Sequence, residues 1–253
     1  MSALLEIRGA ARYFGGLAAV KNVTIDIAPG EIVGLIGPNG AGKTTLLNLI
    51  SGVLPLSEGE IRFAGQPLKG LRPNVIARRG IARTFQIVKP FPGMTVRENV
   101  AIGAMYGAEG HAAATTGAAM QRADEILAFL HLDHKAEASV TDVTIADRKR
   151  IEVARGLAMG PKLLLLDEVM AGLNPKEVGD IMALVQEINR QGITILVIEH
   201  VMRAIMGVSH RVLVLHHGQP IALGTPAEIA ADEKVIAAYL GERFAARAKS
   251  GPA

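Results

Sequence analysis

The 253-residue sequence contains no cysteine and no tryptophan, and only 4% of its residues are aromatic. Without cysteine the chain can form neither a disulfide nor a thiolate metal site. Its hydrophobic content of 49% is mostly aliphatic and is ample for a core. At this length we expect one large α/β domain, or such a core with a small insertion.

Long apolar runs and a strong charge of one sign are also missing. No window reaches the ~18 uninterrupted apolar residues of a membrane-spanning helix, and the N-terminus lacks the pattern of a signal peptide. The net charge of +3 comes from 27 basic and 24 acidic residues, which is too small an excess to indicate nucleic-acid binding. We interpret the local basic clusters, at 78–83 and 148–150, as solvated helix faces. The sequence predicts a soluble chain that would act at a membrane only through a partner.

The most informative run is GPNGAGKTT, from Gly37 to Thr45. It fits the phosphate-loop pattern, with a strand-like apolar run before it and a helix-like run behind it. Glycines let successive backbone N–H groups curl around an anion, and the helix N-terminus adds partial positive charge. We expect nucleotide phosphates to bind at Gly37, Pro38, Asn39, Gly40, Ala41, Gly42, Lys43, Thr44 and Thr45. Lys43 would reach the outer phosphates, and the Thr44 hydroxyl would hold Mg²⁺.

Two carboxylates follow a second buried strand. The run from Lys162 to Leu166 is apolar after its first residue and leads into Asp167 and Glu168. Ligands of open α/β sheets bind outside the carboxyl ends of strands. We therefore expect Asp167 to orient Mg²⁺ and Glu168 to polarise an attacking water. The alternative is a pair of solvated acids at a strand end.

The pattern changes along the chain. Residues 1–90 are rich in strands, residues 91–155 have helical spacing, and residues 156–241 alternate strand with helix. The last pattern predicts a parallel sheet with crossover helices, interrupted by a helical insertion at 91–155. Residues 242–253 are expected to form a tail.

Together these segments resemble the ATP-binding subunit of an ABC transporter, from about Leu4 to Gly241. Further stretches carry the resemblance: Arg83-Thr84-Phe85-Gln86 (Q-loop), Gly172-Leu173-Asn174-Pro175 (D-loop), Glu199-His200 (switch histidine) and Arg12-Tyr13-Phe14-Gly15-Gly16 (adenine loop). The resemblance implies an α/β phosphate-loop NTPase core with a mixed central sheet, an N-terminal antiparallel β subdomain and an α-helical insertion subdomain.

The resemblance also implies roles for single residues. Gln86 would contact the metal and the γ-phosphate, and His200 would contact the γ-phosphate, so that both join Glu168 in ATP hydrolysis. Phe14 would stack on adenine. By itself, His200 could be an ordinary polar residue at a strand end, and Phe14 could be one of a core-and-surface aromatic pair.

A finer resemblance is to the branched-chain amino-acid (LivG-type) importer family. The stretches that carry it are RYFGGLAAVKNV (12–23), AGLNPKE (171–177), IEHVMRAIMGVS (198–209), GTP (224–226) and AYLGE (238–242). It implies a second ATPase subunit, transmembrane permease subunits, an indirect link to an extracytoplasmic solute-binding protein, and a peripheral location on the cytoplasmic face of the membrane. The solute would be a branched-chain or related amino acid, or an amide. No nucleic-acid partner is expected.

The sequence departs from the family at the signature motif, where Val143-Thr144-Ile145-Ala146-Asp147 precedes a basic helix. The signature offers a hydroxyl and glycine N–H groups to the γ-phosphate on the opposite subunit. Thr144 could supply the hydroxyl, but Ile145 and Ala146 replace glycine. Asp147 would repel a triphosphate, although it would be a good N-cap for the basic helix.

We expect a heterodimer with one competent site, on the side of this chain's phosphate loop, with a homodimer as the alternative. Three other interpretations are a largely inactive or regulatory subunit, a soluble ABC-type ATPase that remodels nucleic acid or ribosomes, and a small-molecule kinase or GTPase. The last lacks a use for Gln86 and the Glu199-His200 pair.

Overall fold

A computed structural model describes residues 3–84 and 90–240. The chain divides into two compact units, which are Met1–Gly70 with Val197–Ala253, and Leu71–Leu196. No helix in the described ranges is long and apolar enough to cross a membrane.

The strands are β1 (Leu5–Phe14), β2 (Leu17–Ile27), β3 (Ile32–Ile36), β4 (Glu58–Phe63), β5 (Gln66–Pro67), β6 (Ile81–Arg83), β7 (Leu163–Asp167), β8 (Thr194–Ile198), β9 (Arg211–His216) and β10 (Gln219–Gly224). The helices are α1 (Lys43–Ile50), α2 (Pro73–Arg78), α3 (Val96–Met105), α4 (Thr116–Phe129), α5 (Ile145–Ala158), α6 (Pro175–Arg190), α7 (Met202–Val208), α8 (Pro226–Ala231) and α9 (Glu233–Leu240), and a 3₁₀ turn spans Asp133–Lys135.

The first unit contains an antiparallel sheet in the order β2-β1-β4-β5. Leu5 is paired with Ile27 on one side and Phe63 on the other, and all three side chains are buried. Strands β1 and β2 are 10 and 11 residues long, and the 12–16 stretch lies at the end of their hairpin. The expected N-terminal antiparallel β region is confirmed.

The same unit contains part of a mixed sheet. Strand β3 pairs with β9 in parallel, and β9 pairs with β10 in antiparallel orientation. Every residue of β3 is buried, as expected for a strand covered on both faces. The predicted strand, loop and helix around residue 40 are confirmed, because β3 ends at Ile36 and α1 begins at Lys43.

The second unit pairs β6 with β7 in parallel, and β8 follows β7 in the strand order. Helices α3, α4 and α5 pack against one another, and α5 also packs against β6 and β7. Helix α6 begins with Pro175 behind the N-cap Asn174, whose side chain accepts hydrogen bonds from Lys176 and Glu177. The predicted helical region and the alternation of strand and helix are both present.

Helix α3 approaches α5 so closely that only glycine fits at one position. A Cβ on Gly103 would lie 2.3 Å from the carbonyl oxygen of Arg155. We expect Gly103→Ala to lower the free energy of unfolding by about 1–3 kcal/mol, because the helices must separate. Gly179→Ala on α6, where a Cβ meets nothing within 4 Å, should raise it by about 0.5–1 kcal/mol. Urea unfolding of both variants measures the difference, and equal shifts would contradict the close contact.

Candidate active site

The phosphate loop is held against other backbone segments of the first unit. A Cβ on Gly37 would lie 2.1 Å from the carbonyl oxygen of Leu215, and one on Gly42 would lie 2.3 Å from that of Ala19. Gly42 has φ 99° and precedes α1 directly. Glycine is therefore required at both positions by space, and at Gly42 also by backbone conformation.

The turn between β9 and β10 fixes the middle of this loop. The N–H of Gly218 donates to the carbonyl of Ala41 at 3.1 Å, and the N–H of Lys21 donates to the carbonyl of Gly218 at 2.7 Å. Gly218 therefore connects the phosphate loop to β2 by hydrogen bonds to both. This turn was not predicted as a support of the phosphate loop, because its contacts join residues 177 and 197 positions apart.

Lys43 is 8% exposed and its ammonium lies over the loop. Its Nζ donates to the carbonyl of Gly37 at 2.7 Å and to that of Pro38 at 3.0 Å. A cationic group, a glycine-lined turn and a helix N-terminus therefore meet in one place. This arrangement fits the phosphates of a nucleotide.

Phe14 lies at the end of β1 and is 44% exposed. The guanidinium of Arg12 lies 4.7 Å from the centre of its ring, and Arg12 Nη1 donates to the carbonyl of Pro55 at 3.1 Å. The ring is therefore positioned by a cation–π contact while it stays accessible. Its stacking on adenine stays a prediction.

Asp167 is the last residue of β7 and is 1% exposed. Its Oδ2 accepts a hydrogen bond from Arg83 Nη2 at 2.9 Å. Its Oδ1 is buried and has no hydrogen-bond partner within the described part of the chain. A buried carboxylate oxygen of this kind fits a hard cation such as Mg²⁺.

Glu168 has a backbone conformation that is uncommon for a side-chain-bearing residue, with φ 53°. Its carbonyl accepts hydrogen bonds from Lys149 Nζ at 3.0 Å and from the N–H of Ala171 at 3.3 Å. Lys149 is only 6% exposed. The interpretation of 148–150 as a solvated face is therefore wrong for Lys149, whose ammonium holds the backbone next to the expected water-activating carboxylate.

His200 lies two residues beyond β8 and is exposed, whereas the preceding Glu199 is 1% exposed. Its contact with a γ-phosphate stays a prediction. Gln86 lies outside the described residues, so its expected role also stays a prediction.

The signature segment differs from what the sequence suggests. The N-cap of α5 is Thr144, and Asp147 is the third residue of the helix in a reciprocal capping box. The prediction that Asp147 is the N-cap is wrong, because a threonine three residues before an acid satisfies both ends of the box. The Thr144 hydroxyl donates to Asp147 Oδ2 at 2.7 Å and accepts from the Asp147 N–H at 3.2 Å.

The charge of Asp147 is balanced within the second unit. Lys135 Nζ contacts Asp147 Oδ2 at 2.5 Å. Burial acts to raise the pKa of Asp147, but the hydrogen bonds from Lys135 and Thr144 outweigh it and hold that pKa below its ordinary value. The expected repulsion of a triphosphate is therefore reduced by Lys135. Ile145, between the two capping residues, is 64% exposed and presents an apolar side chain at the start of the helix.

Comparison with known proteins agrees with this geometry. Residues 20–171 match the family model described as ABC transporter, and residues 219–245 match that of the branched-chain amino acid ATP-binding cassette transporter. The chain belongs to the ABC transporter family. It is 41% identical to the high-affinity branched-chain amino acid transport ATP-binding protein LivG of Escherichia coli strain K12, over 94% of this chain and 98% of that protein.

Solved ABC cassettes share the fold. The ADP conformation of an ATP-binding cassette of an ABC transporter is 31% identical with a TM-score of 0.85, and the match covers 96% of this chain and 100% of that one. A dimeric cassette in a post-hydrolysis state, bound to ADP and Pi, is 26% identical with a TM-score of 0.78, over 88% of this chain and 98% of that one. The α/β phosphate-loop fold is confirmed, and the chain is an ABC ATPase that binds nucleotide.

The cluster of Lys135, Thr144 and Asp147 makes stability depend on pH. The folded-state pKa of Asp147 lies below its unfolded value of about 3.9. The ionised carboxylate therefore stabilises the fold above about pH 4, and this stabilisation is lost as the pH falls through the folded-state pKa. We expect Asp147→Asn to lower the free energy of unfolding at pH 7 by about 1–3 kcal/mol.

Urea unfolding at pH 7 and pH 3 checks this prediction, since the difference from wild type should shrink at the lower pH. Asp142→Asn is the matched control, because that carboxylate is exposed and adjoins the same segment. If Asp147→Asn lowers the free energy of unfolding equally at both pH values, Asp147 stabilises the fold by packing and not by its charge.

Proposed function

We propose that this ABC ATPase energises the import of branched-chain or related hydrophobic amino acids, or of amides. The match of residues 219–245 to the branched-chain family model carries the solute class, because this segment lies outside the nucleotide motifs. The identity to LivG over nearly the whole chain supports the same class.

The nucleotide groups are proposed as follows. The loop from Gly37 to Thr45 binds the phosphates, with Lys43 as its cation, and Phe14 stacks on adenine. Mg²⁺ would be held by Asp167 through its unpartnered oxygen, together with Thr44 and Gln86. Bound Mg²⁺ neutralises charge on the phosphate oxygens. The described residues hold no group of three or more acidic or histidine side chains that could hold a metal ion by themselves, and in the proposed site phosphate oxygens and water would supply the other ligands.

Hydrolysis requires a base for the attacking water. Glu168 is half-buried at the end of a buried strand, and its backbone is held by Lys149. We assign it as the group that accepts the proton of the water. His200 and Gln86 are assigned to contacts with the γ-phosphate, which would report its presence to the rest of the transporter.

The partners follow from the family and from the signature segment. ABC cassettes dimerise and act with transmembrane permeases, which here would place the chain at the cytoplasmic face of the membrane, indirectly linked to an extracytoplasmic solute-binding protein. We favour a heterodimer over a homodimer. The region 91–155 would be the helical subdomain that faces these partners.

The proposed difference between the two nucleotide sites of the heterodimer rests on contacts at the start of α5. The Thr144 hydroxyl and the Asp147 carboxylate bond to each other, and Ile145 stands where a family member offers glycine N–H groups. This chain therefore gives a poor signature to the partner's nucleotide, while its own phosphate loop and Glu168 are intact. A largely inactive subunit is the second candidate, and the same observation at the signature motivates it.

The first test is ATP hydrolysis by the purified chain, alone and mixed with its second ATPase subunit. We expect activity in the mixture only, and a fall of about 100-fold or more on Glu168→Gln, which removes the base. Glu125→Gln on the exposed face of α4 is the matched control and should keep the activity. Strong activity of the chain alone would show that 143–147 still serves as a signature, and survival after Glu168→Gln would support the inactive-subunit candidate.

The second test addresses the solute. The full transporter in vesicles should take up leucine in an ATP-dependent manner, and isoleucine and valine should compete. ATP-dependent uptake of an unrelated solute, with no competition by aliphatic amino acids, would contradict the proposed solute class while leaving the ATPase assignment intact.

A further inference from the structure

A buried arginine is paired with the carboxylate proposed to hold the metal. Arg83 is the last residue of β6, and it aligns with Leu165 of the parallel strand β7. From there its side chain reaches Asp167, two residues further along β7, with an N–O distance of 2.9 Å. The side chains of Arg83 and Asp167 are 9% and 1% exposed.

Thr84 fixes the two strand ends relative to each other. Its N–H donates to the carbonyl of Leu165 at 2.9 Å, and its Oγ1 accepts from the N–H of Asp167 at 3.0 Å. Thr84 is fully buried. The backbones that carry Arg83 and Asp167 are thus joined by two hydrogen bonds of Thr84, next to the ion pair.

The charges explain why such a pair is useful at this place. A buried carboxylate without a compensating charge is strongly unfavourable. Arg83 supplies that charge through a hydrogen bond to Oδ2, and Oδ1 is left without a hydrogen-bond partner in the described ranges. One oxygen is therefore neutralised and oriented, and the other is available to a cation.

We propose that Arg83 is a positioning residue of the metal site, which balances the charge of Asp167 through Oδ2 and leaves Oδ1 as the oxygen for the divalent cation. This inference rests on the proposed role of Asp167 as a metal-orienting group. Its consequence is that Asp167 alone attracts a cation weakly, because a guanidinium already lies beside it. The cation then binds mainly as part of the metal–nucleotide complex, and the site stays charge-balanced without it.

The test measures how much Mn²⁺ is needed for binding of a fluorescent ADP derivative. Removing a positive charge about 6 Å from a divalent cation should strengthen the binding of that cation by about tenfold, even at a dielectric constant of about 80, that of bulk water. We therefore expect Arg83→Met and Arg83→Gln to lower the half-saturating Mn²⁺ concentration about tenfold. Arg83→Lys, which keeps the charge, should stay close to wild type.

Arg62→Met is the matched control, because Arg62 forms an exposed ion pair with Glu60 and the change in charge is the same. It should leave the Mn²⁺ requirement unchanged. If Arg83→Met and Arg83→Gln fold but need as much Mn²⁺ as the control, or more, the proposal is overturned. If neither folds, as judged by circular dichroism, Arg83 belongs to the fold and the proposal also fails. If binding of the ADP derivative to the wild-type protein does not depend on Mn²⁺, the proposed metal role of Asp167 is itself refuted.

Discussion

The phosphate loop depends on close backbone contact with two other parts of its unit. Carbonyl oxygens of Ala19 and Leu215 lie where side chains at Gly42 and Gly37 would be, and the turn at Gly218 bonds to the loop directly. The loop is therefore shaped by its neighbours as well as by its own glycines. Pre-shaped donors need little reorganisation on binding, which is how a short glycine-rich segment can bind a strongly hydrated anion.

Much of this could be predicted from the sequence. The phosphate loop, the strand before it and the carboxylates after the leucine run follow from local patterns, because glycine spacing and apolar runs act over a few residues. The lengths of β1 and β2 could not be predicted, since half-exposed residues near their hairpin are held by pairing across the sheet.

The supports of the site were harder to predict than the site itself. Lys149 and Arg83 look like members of surface charge clusters, and nothing in their local sequence shows that they point inward. Their partners, the carbonyl of Glu168 and the carboxylate of Asp167, are 19 and 84 residues away. Similarly, aspartate is a common N-cap residue, but Asp147 is the third residue of α5 because Thr144 occupies the N-cap position.

The support of Glu168 joins two motifs that the sequence keeps apart. Helix α5 begins at the signature position, and Lys149 lies within its first two turns. The same helix thus carries the surface proposed to face a partner's nucleotide and the ammonium that holds the Glu168 carbonyl. A shift of one helical residue is about 1.5 Å along the axis, which is enough to break that hydrogen bond. A displacement of α5 at 143–147 would therefore disturb the hydrogen bond that Lys149 donates to the backbone of Glu168, the residue proposed to activate water.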